Sequence, residues 1–194
     1  SFFVALLAEV RRQPGIERAG AVSVLPMSPL GTNFDLNFTI DGRESSTPSE
    51  RPRAAYRGVL AGYFETMAIP VKRGRLFDEL DGRENGPRVA IINESLARKY
   101  FDGVDPIDRM VKMPMAGDLR IVGVVGDVRS GGLQAAPEAE VFVPYDQLAL
   151  SEMQVVVLTD LSPGDAAQRV KAAVQSVDST LPVGRMSAIA DLLS

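Results

Sequence analysis

The chain has 194 residues, 45% of them hydrophobic, and its 21 basic and 25 acidic side chains give a formal net charge of −4. This mild negative balance argues against a nucleic-acid surface, which needs a concentrated positive field. The absence of cysteine and histidine excludes disulfides, thiolate nucleophiles, Ser-His-Asp triads and the commonest transition-metal ligands.

The N-terminal part of the chain predicts a helix followed by strands. Residues 2–12 place their apolar side chains on one helical face, and the following "QPG" ends that helix. "AGAVSVL" at 19–25 predicts a strand. "NFDLNFTIDG" at 33–42 alternates apolar and polar residues before an Asp-Gly turn, which is typical of a half-buried strand.

The remainder of the chain combines short strands with further helices. "RVAIINESLARKYF" predicts a strand that runs directly into a helix, with Asn93 as the N-cap because its side-chain oxygen can accept hydrogen bonds from the first turn. Ser162, Pro163 and Asp165 supply the hydroxyl cap, the first-position proline and the first-turn carboxylate of another helix. We also expect a short helix through Tyr63, Phe64 and Met67 and strands at 53–60, 109–113, 120–128, 140–145, 153–160 and 181–189.

Strand–helix units interleaved with hairpins predict an α+β fold. The charged, glycine-punctuated stretch at 71–88 is the largest shift in composition, and we interpret it as a junction between subdomains. No apolar run approaches the ~20 residues that a membrane-spanning helix requires. The apolar run at 2–8 has no charged segment before it and is therefore not a signal peptide. We expect both ends to continue in a longer protein.

The stretch "RIVGVVGDVRSGGL" at 120–133 raises the question of a phosphate-binding loop. A dinucleotide fingerprint needs G-x-G-x-x-G after a strand and at the start of a helix. Here Gly123 and Gly126 are three residues apart, and Pro137 and a strand follow instead of a long helix. We therefore interpret these glycines as bending or bulging a strand or as permitting close backbone packing, with a turn at 130–132 and with Asp127 and Arg129 on one strand face.

The sequence lacks the residue spacing of a calcium-binding loop and of a serine–lysine hydrolase. If Asp81-Gly82 in "DELDGRENG" were the fifth and sixth positions of a calcium loop, Phe77 and Arg88 would occupy positions that require carboxylates. A solvated acidic loop is the simpler interpretation. No serine and lysine stand at a spacing that indicates a hydrolase. We therefore expect no enzyme, no cofactor and no metal site.

The segment "RPRAAYRG" places Arg51, Arg53 and Arg57 on the same side of a predicted strand. Three guanidinium groups on one face could receive an anionic ligand or an acidic partner surface. The alternative is an ordinary solvated strand face. These three arginines are the contact residues that we predict for a partner or ligand.

Several segments taken together resemble one known family. "RRQPGIERAGAVSVLPM", "GYFETMAIPVKRGRLF", "RVAIINESLARKYFDGVDPI" and "RIVGVVGDVR…EVFVPYDQ" follow the order seen in the MacB-like periplasmic core domain of MacB/FtsX-type ABC transporter permeases, especially the acidobacterial type. The matching residues are Tyr63 and Phe64; Gly74, Arg75 and Phe77; Asn93 and Glu94; Asp105, Pro106 and Ile107; and Gly123 to Val128. Asp108 departs, because the family usually has glycine there, and this raises a question about the geometry of that turn.

The resemblance implies two subdomains. Residues 1–66 and 134–194 would form a module similar to the porter modules of efflux pumps, and residues 67–133 would form an inserted module of the type called Sabre. Both chain ends would continue into membrane helices of an inner-membrane permease, and the domain itself would be periplasmic. Implied partners are a cytoplasmic ATPase, a second permease copy and a periplasmic adaptor or lipoprotein, and no nucleic acid.

The leading hypothesis is therefore a non-enzymatic module that couples cytoplasmic ATP hydrolysis to substrate export or to actuation of a partner outside the membrane. A stand-alone extracytoplasmic domain that binds a small molecule or peptide is the alternative. A carboxylate-based hydrolase is a third hypothesis.

Overall fold

The computed structural model describes residues 2–25, 35–43, 47, 51–83, 85–114, 116–128, 136–148, 152–180, 184 and 186–189. These residues form the predicted α+β fold, with helices packed on a mixed sheet. The helices are α1 (Phe2–Arg12), α2 (Tyr63–Thr66), α3 (Glu94–Tyr100) and α4 (Pro163–Val177). The strands are β1 (Ile16–Val22), β2 (Asp35–Asn37), β3 (Thr39–Ile40), β4 (Arg53–Leu60), β5 (Val71–Gly74), β6 (Val89–Asn93), β7 (Met110–Met113), β8 (Gly117–Val125), β9 (Glu140–Pro144) and β10 (Gln154–Thr159).

The strands join one mixed sheet in the order β10-β1-β4-β9-β6-β8-β7-β3, while β2 pairs with β4 and β5 pairs with β8. The β4–β9 and β6–β8 pairs are parallel, and the other pairs are antiparallel. Strand β10 lies at one end of this order, whereas β3, at the other end, follows β2 after a single residue and so returns the sheet toward β4.

Three apolar clusters hold the layers together. The first lies between α3 and the β4, β6, β8 and β9 strands, with Leu96 and Ile92 fully buried. The second gathers α2 against the other side of the sheet around Tyr63, Phe64 and Phe142. The third packs α1 and α4 together and onto β1. Helices α1 and α4 are therefore both located at the β10–β1 end of the sheet.

The helix-capping residues predicted for α3 and α4 are confirmed. The Asn93 side chain accepts a 3.0 Å hydrogen bond from the Leu96 amide at the start of α3. The Ser162 hydroxyl accepts one from the Asp165 amide at the start of α4, and Pro163 is the first residue of that helix. Each cap satisfies an amide that the helix itself leaves unpaired.

Two predicted strands differ in the structure. The strand predicted at 33–42 is divided, because β2 pairs with β4 whereas β3 pairs with β7. A single alternating segment thus passes from β4 to β7, and it brings these two strands close together although they are not neighbours in the strand order. The last strand predicted at 181–189 is not seen in its described residues, 184 and 186–189. Among the residues that the structure describes, no helix has the length and apolar character to cross a bilayer.

The predicted subdomains contribute strands to one continuous sheet. Strands β10, β1, β4 and β9, from residues 1–66 and 134–194, lie together, and β6, β8, β7 and β5, from residues 67–133, adjoin them. Strand β3 departs from this separation because it pairs with β7. The subdomain boundaries therefore stay a prediction.

Candidate functional site

The glycines of the 120–133 stretch allow two strands to approach closely. Gly123 in β8 pairs with Gly74 in β5. A Cβ on Gly123 would lie 2.2 Å from the Arg75 carbonyl oxygen, and a Cβ on Gly74 would lie 2.2 Å from the Val122 carbonyl oxygen. The close-packing interpretation of Gly123 is thus confirmed. No helix follows β8 in the described residues 126–128 and 136–139, and the predicted turn at 130–132 lies outside the described residues.

Asp127, which follows β8, organises the start of α3. Its carboxylate accepts hydrogen bonds of 2.7 Å from the Ser95 amide and 2.9 Å from the Ser95 hydroxyl. Arg98 also donates to it, at 2.6 Å. The carboxylate is therefore engaged in holding a helix end rather than in receiving a ligand. Arg129, its predicted neighbour on the strand face, lies outside the described residues.

Asn93 joins three parts of the fold. Besides capping α3, its side-chain oxygen accepts a 3.0 Å hydrogen bond from the Glu140 amide. Its side-chain nitrogen donates a 2.7 Å hydrogen bond to the Glu138 carbonyl. The Asn-Glu motif at the end of β6 thus fixes β9 beside β6, which is a structural role.

The acidic loop at 78–86 is held by internal contacts. Arg75 donates to both oxygens of Asp81, one of them at 3.1 Å. Asp78 accepts hydrogen bonds from the amides of Leu80 and Asp81, and the Leu80 bond contributes most to lowering the pKa of its carboxyl. Within the described part of the chain, no cluster of three or more acidic side chains is placed to hold a metal ion.

The three arginines predicted to form one contact face are separated by the structure. Arg51 and Arg53 are exposed, and Arg53 lies 4.0 Å from Asp35. Arg57 is 1% exposed. The prediction is therefore wrong for Arg57, because alternation along a strand shows which side a residue faces but not how deeply that part of the strand is covered. For Arg51 and Arg53, contact with a partner or ligand stays a prediction.

Arg57 forms a buried ion pair. Its Nε atom donates a 2.7 Å hydrogen bond to Oε1 of Glu140, and its Nη1 atom donates one of the same length to the Val24 carbonyl. Burial raises the pKa of the Glu140 carboxyl, and the Arg57 charge opposes that rise. Burial also raises the pKa of the neighbouring Tyr63 hydroxyl. Neither Glu140 Oε2 nor the Tyr63 hydroxyl has a hydrogen-bond partner in the described part of the chain.

The exposed Arg51 lies at a surface groove at the β3–β7 end of the sheet. The groove has a volume of about 810 Å³ and is lined by Thr39, Ile40, Asp41, Gly42, Arg43, Arg51, Met110, Val111, Lys112 and Asp118. Arg43 donates a 2.6 Å hydrogen bond to the Tyr100 carbonyl. Arg51 and Lys112 are exposed. Sequence reasoning identified Arg51 but not Arg43 or Lys112, because the pairing of β3 with β7 brings them together over a long separation in sequence.

The sequence matches the MacB-like periplasmic core domain family over residues 4–177. It is 32% identical over 89 residues to the macrolide export ATP-binding/permease protein MacB of Mannheimia succiniciproducens, and 26% identical over 144 residues to the uncharacterized ABC transporter permease YknZ of Bacillus subtilis. These alignments cover 46% and 72% of this chain but 13% and 35% of the relatives. The chain therefore spans a minor part of the length of both relatives.

Two solved structures share the fold. The periplasmic region of MacB from Actinobacillus actinomycetemcomitans superposes with a TM-score of 0.61 at 16% identity, over 90% of this chain and 73% of that one. The extracellular domain of YknZ from Gram-positive bacteria also gives 0.61, at 17% identity, over 91% of this chain and 83% of that one. At such low identity the likeness establishes the architecture.

Proposed function

Because the chain belongs to the MacB-like periplasmic core domain family and is the periplasmic domain of an ABC transporter permease, we propose that it works as a non-catalytic mechanical and binding module. In this proposal a cytoplasmic ATPase subunit or domain hydrolyses ATP, and the permease transmits the resulting motion to this domain. The domain then expels a substrate or actuates a partner outside the membrane. The family match over residues 4–177 is the observation that carries the proposal.

The use of the motif residues supports a mechanical role. Gly74 and Gly123 permit close packing of β5 on β8, Asn93 joins β6 to β9, and Asp127 holds α3. All of these residues are engaged in contacts within the fold. Such packing gives a body that moves as a unit, which a mechanical module requires.

The positions of α1 and α4 and of the groove support different roles for two parts of the domain. Helices α1 and α4 pack at the β10–β1 end, whereas the groove lies at the β3–β7 end. In this proposal α1 and α4 lie toward the membrane, and the groove, which neither helix lines, is open to the extracytoplasmic side. We therefore assign contact with an adaptor, a lipoprotein or another extracytoplasmic partner to the groove, with Arg51 and Lys112 as its cationic contacts.

Nucleotide-dependent movement of this domain is the first test. These 194 residues contain no cysteine, so Asp102→Cys at an exposed position, in a permease whose cysteines elsewhere are replaced by serine, provides one spin label in each copy. We expect the label-to-label distance in the assembled, membrane-inserted transporter to change between the nucleotide-free and ATP-bound states. An ATPase variant that cannot bind ATP is the control. An identical distance in all nucleotide states would contradict the mechanical role.

Charge reversal in the groove tests the contact. We expect Arg51→Glu and Lys112→Glu to weaken cross-linking of the intact transporter to its extracytoplasmic partner while the basal ATPase rate stays unchanged. Arg169→Glu is the matched control, since Arg169 is an exposed arginine on α4, a helix that does not line the groove. Equal cross-linking for all three variants would rule out the groove as the contact.

A further inference from the structure

Arg11 on helix α1 connects that helix to two different strands. Its Nε and Nη2 atoms donate hydrogen bonds of 3.1 and 2.9 Å to the Ala19 carbonyl in β1. Nη2 also donates to the carbonyl of Ala61, which directly follows β4. A planar guanidinium has five N–H donors in a fixed arrangement, so it can hold two carbonyl groups at once. Arg11 therefore bridges α1, β1 and the end of β4.

The bridge lies where the pairing of β1 with β4 ends. The two strands pair at residues 21–22 of β1 and 59–60 of β4. The two carbonyls that Arg11 holds, those of Ala19 and Ala61, lie within two residues of this short ladder. Arg11 thus extends the connection between β1 and β4 beyond the ladder itself.

The β1–β4 ladder joins two groups of elements. On one side of it, β1 pairs with β10, and α1 and α4 pack on this part of the sheet. On the other side, β4 pairs with β9, which is followed in the strand order by β6 and β8. Movement of α1 relative to the membrane would therefore have to pass the junction of β1 with β4 in order to reach most of the sheet.

Gly62 leaves the space that the Arg11 guanidinium occupies. Gly62 has φ +89°, and a Cβ there would lie 2.7 Å from Nη2 of Arg11 and 2.6 Å from the Ala19 carbonyl oxygen. The next residue, Tyr63, begins α2, and its backbone lies so close to β1 that a Cβ on Gly20 would be 2.4 Å from it. The bridge is therefore continuous with α2, which packs on the second apolar cluster.

Arg12, the next residue of α1, makes a different contact. It forms a 2.9 Å ion pair with Glu9 of the same helix, and its side chain is 74% exposed. Such a pair on a helix surface contributes little to stability. Arg12 is therefore a matched control for Arg11, because it has the same charge and the same helix but its ion pair lies within α1.

We propose that Arg11 is the positioning residue that transmits movement of α1 to the sheet beyond β1. The inference rests on the proposed mechanical function, in which α1 lies toward the membrane. Without Arg11, α1 would still pack on β1 through Leu6, Leu7 and Val10. The junction of β1 with β4 would open more readily, however, and less of the movement would reach β9, β6 and β8.

Hydrogen exchange in residues 1–194 tests whether Arg11 holds the junction. We expect Arg11→Ala to speed exchange of the amides at 21–22 and 59–60 at least about tenfold, because the end of the ladder opens locally. Arg12→Ala should leave these amides unchanged, and the β6 amides at 89–93 should exchange equally in all three proteins. Unchanged exchange at the junction in Arg11→Ala would overturn the inference. Uniformly faster exchange would also overturn it, because it would indicate a general loss of stability.

Spin-label distances in the assembled, membrane-inserted transporter test the transmission of movement. The labels are placed singly, at Ala8→Cys on the exposed side of α1 or at Asp102→Cys after α3, in the permease whose other cysteines are replaced by serine. We expect Arg11→Ala to reduce the nucleotide-dependent distance change at residue 102 at least about twofold. The change at residue 8 should persist. Arg12→Ala should leave both changes as they are in the wild type.

Arg11→Lys separates the bridge from the charge. Lysine keeps the positive charge but lacks the planar fork, so we expect a distance change at residue 102 between those of the wild type and Arg11→Ala. A wild-type change at residue 102 in Arg11→Ala would contradict the inference. If neither label moved in the wild type, the proposed mechanical function would be wrong, and hydrogen exchange would still decide whether Arg11 holds the junction of β1 with β4.

Discussion

The Nε atom of Arg57 lies 2.7 Å from Oε1 of Glu140, and both side chains are 1% exposed. Arg57 comes from β4 and Glu140 from β9, which are parallel neighbours in the sheet. The attraction between two charges in the interior has to offset the loss of their hydration. Removal of either residue would therefore leave the charge of the other buried without its counter-charge.

Removal of one member of the pair is expected to be strongly destabilising. Arg57→Met leaves the Glu140 carboxylate buried without its counter-charge, and we expect the free energy of unfolding to fall by about 3–5 kcal/mol. The double variant Arg57→Met, Glu140→Leu should recover most of that loss, because it leaves no buried charge. Urea denaturation of the three proteins measures this. The control Arg53→Met, on the same strand but exposed, should change stability by less than about 0.5 kcal/mol.

The pH dependence of stability should reveal how Glu140 titrates. Burial raises the pKa of its carboxyl above the ordinary 4.5, so the folded protein binds this proton more tightly than the unfolded chain does. Stability contributed by this group therefore falls as pH rises from 4.5 to the folded-state pKa, and is level above it. Unfolding free energies of the wild type and Glu140→Gln across that range isolate the effect. A difference that grows with pH would instead show that attraction to Arg57 dominates.

The close approach of β5 and β8 predicts a severe effect for a small change. Gly123→Ala places a Cβ 2.2 Å from the Arg75 carbonyl oxygen, so the strands must separate, and we expect a loss of about 2–3 kcal/mol. Gly184→Ala is the control, because no atom of the described residues lies within 4 Å of its added Cβ. Thermal unfolding compares the two. Similar melting temperatures for both variants would refute the close-packing role of Gly123.

Among the described residues, two that are not glycine adopt a backbone conformation that favours glycine. Ala68 has φ +52° and Asp108 has φ +63°. The question raised by Asp108 at the family's glycine position is thus answered, since aspartate adopts the left-handed geometry there. We expect Ala68→Gly to stabilise the fold by about 0.5–1 kcal/mol, and Asp108→Gly by less, because aspartate tolerates this region better than alanine.

Chemical denaturation of these glycine variants provides the measurement. Ala97→Gly, inside helix α3, is the control for the entropy that glycine adds to the unfolded chain. That substitution should cost about 1 kcal/mol. A loss of stability at Ala68 as large as that at Ala97 would show that the positive φ carries no strain.

The α+β class, the starts of α3 and α4 and the family follow from the amino-acid sequence alone. Asn93 and Ser162 cap helices through atoms within three residues of themselves, so the signal and its effect lie in the same short segment. The run that includes β10 was recognised as a strand for the same reason, because its apolar, β-branched residues favour extended backbone locally.

The environment of Arg57, the division of the 33–42 segment and the groove at Arg51 depend on contacts between distant parts of the chain. The ion-pair partner of Arg57 is 83 residues away in the sequence. Strand β3 pairs with β7, which lies about 70 residues further along the chain. The apolar–polar periodicity of a strand shows which way a side chain points, but the burial of that side chain depends on which strands and helices pack around it. That is set by long-range pairing and layer packing, which no local segment encodes.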